Sequence, residues 1–283
     1  MRIRPLSRFS VLLLPLPVLW LTCCKAGDDA GPENPIQGLD FSMVSQVLAG
    51  EFNGAGLALM LPSGPPGCLS ATSWDDGDAD GVLDDSDFTF SASGCRFTFD
   101  DGWGTTSGAI HILDPGNDFG FSATLNGLAY TISVDANGGD PAETRVRTLH
   151  GERSVSGSPS QVTLTQDVDL TYTVTGRPSA QVSETWQAVF TASQGSAVAF
   201  GVGARLPDGS TVITGPMSWT QSGATVSLSL ETTVPIWFDP GCQSPFPSAG
   251  EVHAHVVSGG PNGYVKVRWS SCGGETEVDF VGA

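Results

Sequence analysis

The chain has 283 residues, of which 40% are hydrophobic and 15% are charged, and this composition is typical of a folded protein rather than a disordered one. Thirty acidic residues against 12 basic ones give a net charge of −18, and no basic cluster could follow a phosphate backbone, so we expect no nucleic-acid partner. The 36 glycines and 19 prolines are too frequent for a helical bundle. Together with abundant Ser, Thr and Val, they favour β-sheet.

Residues 1–23 have the pattern of a signal peptide. Three arginines and no acidic residue lie in the first eight positions, and an apolar stretch from Phe9 to Leu21 follows, too short to span a bilayer as a helix. An ordinary secretory peptide or a single anchor helix is the alternative interpretation. Each of these interpretations predicts export.

The apolar stretch ends in Leu21-Thr22-Cys23-Cys24, which resembles the lipobox of bacterial lipoproteins. In that motif an aliphatic residue and two small residues precede the cysteine that is lipidated and becomes the new N-terminus. The resemblance implies lipidation of Cys24. Cys23 is the alternative, but it would put Trp20 at the aliphatic position. Removal of residues 1–23 leaves nine basic and 30 acidic residues, a net charge of −21.

The segment 24–37 is expected to be a flexible tether, because it is rich in Gly, Pro and acidic residues and has no apolar periodicity. Lys25, not Asp, follows Cys24, and by resemblance to Gram-negative lipoproteins this implies attachment to the outer membrane or cell surface through the lipid. Residues 38–283 are predicted to form a single all-β domain, with a weak possible boundary near 151–160, where Gly, Ser and Pro cluster.

One segment after the tether is predicted to be a short helix. Asp40 can cap it, Phe41, Val44 and Leu48 have helical spacing, and Gly50 stands where a helix would end.

The rest of the chain alternates between apolar and polar residues with a period of two. Between Val162 and Val174, for example, apolar side chains fall on one face and Thr and Asp on the other. Turn signals such as Asn126-Gly127 and Pro261-Asn262-Gly263 separate the runs. The predicted fold is an antiparallel meander that forms a β-sandwich or a half-open β-barrel, with at most one short N-terminal helix.

Four cysteines follow Cys24, an even number in a chain expected to be exported. Three pairings are possible. We expect disulfides between Cys68 and Cys95 and between Cys242 and Cys272, because each closes a local loop.

The strongest motif lies in residues 74–87, where carboxylates alternate around Gly81. It resembles the calcium loop of EF-hand, dockerin and thrombospondin type 3 proteins, and the resemblance implies one calcium ion held by Asp76, Asp78, Asp80, the Val82 carbonyl, Asp84 and Asp87. The last position is a shorter Asp where that family has Glu, and strand-like sequence flanks the loop where an EF-hand has helices. The shorter carboxylate and the single disulfide-closed loop predict a weak affinity of about 0.1 to 1 mM. A solvated acidic turn without an ion is the alternative.

Glu251, His253 and His255 are a second candidate site, because alternate residues of a strand face the same way. Two imidazoles and a carboxylate could bind zinc or another transition metal. The alternative, which we favour, is the hydrated face of an amphipathic strand. Five tryptophans could form a sugar-stacking face, although burial in the sheet is the commoner role; they are Trp103, Trp186, Trp219, Trp237 and Trp269.

The sequence contains no nucleophile elbow, Walker loop or dinucleotide-binding motif. We therefore expect a non-enzymatic, lipid-anchored envelope protein with a structural calcium site and a protein or glycan partner. One alternative is a carrier of an apolar ligand held in a half-open barrel. The other is a metal-dependent hydrolase that uses Glu251, His253 and His255.

Overall fold

A computed structural model describes residues 39–54, 67–93, 95–99, 102–114, 116, 119–135, 142–200, 206–239, 241, 247–271 and 276–283. The predicted signal peptide, Cys24, the predicted tether and the expected Cys242–Cys272 pair lie outside these residues. Within them, no helix has both the length and the apolar character that crossing a membrane requires.

The helix α1 spans Phe41–Gly54 and begins where the sequence predicts. The Oδ1 of Asp40 accepts hydrogen bonds from the amides of Ser42 (3.0 Å) and Met43 (3.4 Å), as an N-cap does. The predicted end at Gly50 is wrong, because the helix continues to Gly54. The two residues after Gly50 are buried in the interior, and their contacts offset the low helix propensity of glycine, which costs about 1 kcal/mol.

The central strands are long, and β7 and β8 alternate between buried and exposed residues along most of their length. Their bounds are β1 Leu69–Ala71, β2 Asp85–Phe90, β3 Arg96–Phe99, β4 Gly102–Leu113, β5 Gly120–Val134, β6 Glu143–Ser158, β7 Gln161–Val174, β8 Ala180–Ala192, β9 Gly209–Gln221, β10 Ala224–Phe238, β11 Ala249–Ser258, β12 Gly263–Trp269 and β13 Glu277–Gly282.

All neighbouring strands of the described residues are antiparallel and follow one another in chain order, except near the start of the sheet. There β2 and β3 share one edge of β4, and β5 pairs with the other edge. Strands β1 and β13 end the path and are not paired with each other within the described ranges. The predicted all-β antiparallel meander with one short helix is therefore confirmed.

The hydrophobic core lies between the inner face of the sheet and α1, most of whose residues are buried. Tyr172 of β7 donates a hydrogen bond to Gln46 (2.5 Å), and the ring of Phe52 meets that of Trp269 in β12 edge-on, with centroids 6.4 Å apart. Strands β7 and β12 are far apart in the sheet, yet both contact α1. The sheet must therefore curve around the helix.

A buried polar cluster fastens the end of α1 to the sheet. It consists of Glu51 on α1, Arg147 on β6, Gln166 on β7 and Glu184 on β8. Glu51 forms an ion pair with Arg147, and Gln166 donates from Nε2 to Glu51 (3.3 Å) and to Glu184. Burial raises the pKa of Glu184, although Arg147 and nearby Arg153 act in the opposite direction. Burial also lowers the pKa of Arg147 to about 10.

One turn predicted from the sequence lies inside a strand, and the region of the weak possible domain boundary covers a strand end and the connection that follows it. Asn126-Gly127 was expected to be a turn, but it lies within β5, where Gly127 has a φ of +62° and the register with β6 shifts by one residue. Glycine provides the left-handed conformation that this bulge requires, so the strand bends without ending. The Gly, Ser and Pro cluster at 151–160 covers the end of β6 and the connection to β7 in the same sheet.

Cys68 and Cys95 form a disulfide, as expected from their spacing. Both residues are buried, and the bond joins the segment before β1 to the segment before β3. The loop that it closes contains all of the aspartates in the predicted calcium motif.

Candidate metal centre

The aspartate loop connects β1 to β2 and is closed by backbone hydrogen bonds. The amide of Asp84 donates to the carbonyl of Asp75 (3.1 Å), and that of Thr72 donates to Asp87 (3.1 Å). Val82 and Leu83 turn their side chains into the core, with 0% and 9% exposure. These two apolar side chains therefore anchor the loop to the core.

In two loop carboxylates, one oxygen accepts a hydrogen bond from a backbone amide and the other oxygen is buried. Asp76 accepts through Oδ2 from the amide of Gly81 (3.2 Å), and Asp80 accepts through Oδ1 from that of Val82 (2.7 Å). Asp76 Oδ1 and Asp80 Oδ2 are shielded from solvent and accept no hydrogen bond from any described residue. A buried carboxylate oxygen without a donor is costly, and a cation would remove that cost.

A third carboxylate joins the loop from outside the predicted motif. Asp114 follows β4, and its backbone amide donates to the carbonyl of Asp84 (2.8 Å). It is only 4% exposed. Its Oδ1 accepts from the amide of Gly116 (3.3 Å), and its Oδ2 is buried without a donor in the described part of the chain.

The carboxylates form two overlapping groups. Oxygens of Asp76, Asp78 and Asp84 lie within 4.8 Å of one another, and so do oxygens of Asp78, Asp80 and Asp114. Calcium binds oxygens at about 2.3 to 2.6 Å, so both groups have the spacing that a calcium ion requires. Asp78 belongs to both.

The clustering of negative charge affects the titration of two members. Burial raises the pKa of Asp80, and repulsion from Asp78, Asp76 and Asp84 adds to this effect. Burial also raises the pKa of Asp114, with further repulsion from Asp80, Asp78 and Asp84. A divalent cation would favour the charged forms of both groups.

Asp87, the last ligand expected from the motif, is not brought to these groups. It lies in β2, where its Oδ1 is 3.0 Å from Nδ1 of His111 on the neighbouring β4. It belongs to neither group of converging carboxylates. The Val82 carbonyl stays a predicted ligand.

The sequence offered no signal for Asp114 as a ligand. It lies in an Asp-Pro-Gly-Asn run that indicates only a turn, and no local spacing links it to the aspartate loop. The pairing of β2 with β4 places it there, because Asp85 is the register partner of Leu113. By contrast, Gln166 and Glu184 are polar residues at inward positions of β7 and β8. They interrupt the run of apolar residues on that face, and this interruption can be seen in the sequence.

Glu251, His253 and His255 share the outer face of β11, as the alternation predicts, but they do not converge on one point. Glu251 Oε1 lies 2.7 Å from His253 Nε2, whereas His255 Nε2 lies 3.2 Å from Oε2 of Glu231 on β10. Tyr264 stacks on the His253 ring at 4.1 Å. Among the described residues, groups of three or more converging ligand atoms occur only in the aspartate cluster.

The tryptophans do not form one exposed face. Trp186, Trp219 and Trp269 are buried in the core, while Trp237 is 44% exposed. Trp103 lies under the guanidinium of Arg96, which is 4.4 Å from the ring centroid. Three of the five therefore have the structural role that buried sheet tryptophans usually have.

No protein family model matches the chain, and no curated protein or solved structure shows significant similarity to it. The fold and the aspartate cluster are therefore the observations from which a function can be argued.

Proposed function

We propose that the protein is an exported, lipid-anchored envelope protein whose aspartate loop binds calcium, with a binding or structural role rather than a catalytic one. The observation that carries the calcium site is the set of three buried carboxylate oxygens without donors, on Asp76, Asp80 and Asp114. Hydrogen bonds hold the other oxygen of each carboxylate, so the three side chains are oriented before an ion arrives. Calcium prefers such a set of oxygen ligands.

The Cys68–Cys95 disulfide supports export, since disulfides persist in oxidising compartments outside the cytoplasm. It also supports a structural role for the ion. The covalent bond and the ion would act on the same short region, β1 to β3. Its strands are only three to six residues long, and β1 pairs with β2 through three residues on each strand.

Calcium binding is tested on the purified full chain by terbium luminescence. Trp74 is close in sequence to Asp76, and its ring meets that of Phe88 at 5.8 Å, so it should sensitise terbium bound in the loop. Emission should appear with terbium and fall with competing calcium. Asp78→Asn should abolish it, and the matched control Asp85→Asn, whose side chain is 73% exposed in β2, should not. Emission unchanged by Asp78→Asn would refute the site.

Calcium should also raise stability, because an ion that binds only the folded state shifts unfolding by mass action. With 10 mM calcium and a dissociation constant of about 0.1 to 1 mM, the gain is about 1.4 to 2.7 kcal/mol. Thermal unfolding with calcium and with chelator measures it. Identical melting temperatures in the two conditions would contradict a folded-state calcium site.

The anchor is tested by fractionating cells that express the full chain. Cys24→Ser should release the protein from the membrane fraction, and the matched control Cys23→Ser should leave it there. Intact mass should show acyl chains on the wild type. Membrane retention of Cys24→Ser with an unmodified mass would rule out the lipid anchor while leaving the calcium site intact.

A further inference from the structure

The carboxylates of the aspartate cluster do not converge on a single point. Two oxygens on the same calcium are at most two metal–oxygen bonds apart, about 4.6 to 5.2 Å for bonds of 2.3 to 2.6 Å. At a separation of 4.8 Å, within this range, the five carboxylates form two groups of three, which share Asp78. Asp76 and Asp84 belong only to the first group, and Asp80 and Asp114 only to the second.

Each group has its own buried oxygen without a donor. In the first it is Oδ1 of Asp76, and in the second it is Oδ2 of both Asp80 and Asp114. Asp114 is the stronger evidence for a second ion. Its side chain is almost completely buried, and it follows β4 instead of lying in the loop. An ion that satisfies only the first group would leave the two oxygens of the second group unpaired.

We propose that the cluster holds two divalent cations bridged by Asp78, one bound by Asp76 and Asp84 within the loop and the other by Asp80 and Asp114. This inference rests on the proposed calcium binding and specifies it further. Five carboxylates carry five negative charges, so one divalent ion leaves three of them uncompensated and two ions leave one. Waters complete both shells, since calcium takes six to eight oxygens.

The second ion has a structural consequence that the first does not have. The first group lies entirely within the connection from β1 to β2, whereas the second joins that connection to the residue after β4. The backbone hydrogen bond from Asp114 to Asp84 already brings these two segments together. The second ion therefore fastens the start of the sheet to the β4–β5 connection.

The test is the stoichiometry of calcium binding to the purified full chain, measured by equilibrium dialysis and by isothermal titration with calcium alone. The wild type should bind two ions. Asp114→Asn and Asp84→Asn should each bind one, and Asp78→Asn should lose both at concentrations that saturate the wild type. The matched control Asp87→Asn should still bind two, because Asp87 contacts His111 instead of the cluster.

The outcomes separate this inference from calcium binding itself. One ion per wild-type chain, removed entirely by either Asp84→Asn or Asp114→Asn, would overturn the two-ion arrangement and leave the calcium site standing. No calcium bound to the wild type would overturn both. If the wild type binds one ion and Asp87→Asn binds none, the result would overturn the two-ion arrangement and support the single-ion loop that the sequence motif implies. The wild-type stoichiometry decides the question even if a variant fails to fold.

Discussion

Breaking the Cys68–Cys95 disulfide should destabilise the protein substantially, because the crosslink restricts the unfolded chain. The two cysteines are 27 residues apart in sequence. In the chain-entropy model, closing a loop of this length stabilises the fold by about 3.5 kcal/mol. For a domain of this size, that loss corresponds to a drop in melting temperature of about 7 to 14 °C.

The variants Cys68→Ala, Cys95→Ala and the double variant should show the same loss of stability, since either substitution removes this crosslink. Both cysteines are almost completely buried, so alanine is preferable to the more polar serine. Urea unfolding at saturating calcium measures the free energy of unfolding. Ala92→Ser, an exposed change in the same segment, should stay within about 0.5 kcal/mol of wild type.

Two results would refute this reasoning. A double variant that loses less than about 1 kcal/mol would show that the crosslink does not restrict the unfolded chain as the entropy model requires. Losses in the two single variants that add up in the double variant would assign the effect to side-chain packing, because independent packing losses add whereas loss of a shared bond does not.

Two further predictions concern the helix and the buried polar cluster. Phe52→Ala should lower the free energy of unfolding by about 3 to 5 kcal/mol, because it opens a cavity beside Trp269, and a loss below about 1 kcal/mol in urea unfolding would contradict this packing. Burial raises the pKa of Glu184 above its usual 4.5 in the folded protein. The wild type should therefore lose stability as the pH rises from about 4.5 through the pKa of Glu184 in the folded state. The loss should be at most about 1.4 kcal/mol per pH unit. Glu184→Gln should remove this dependence, and equal slopes for both proteins in pH-resolved urea unfolding would show that Glu184 does not cause it.

Strand patterns were readable from the sequence because their period of two is local. In β7 and β8 the inward positions are buried and the outward ones exposed, as the alternation indicates. Asp40 was readable as a helix cap for the same reason, since its hydrogen bonds reach only two and three residues ahead. Such features need no knowledge of distant parts of the chain.

Local sequence signals gave wrong predictions where tertiary packing favours a different structure. Gly50 suggested a helix end, but Glu51 and Phe52 make contacts in the core that extend the helix. Asn126-Gly127 suggested a turn, but a long strand accommodates the glycine as a bulge. In both cases tertiary contacts outweighed a local conformational preference of about 1 kcal/mol or less.

The sequence by itself determined the all-β meander, the cap of α1, the Cys68–Cys95 pair and the gathering of acidic residues in one loop, because each depends on neighbours along the chain. Only the tertiary structure decided which carboxylates meet. The antiparallel pairing of β2 with β4 carries Asp114 into the cluster and commits Asp87 to a strand beside His111. The register between distant strands depends on burial of the whole apolar face, and no short motif contains that information.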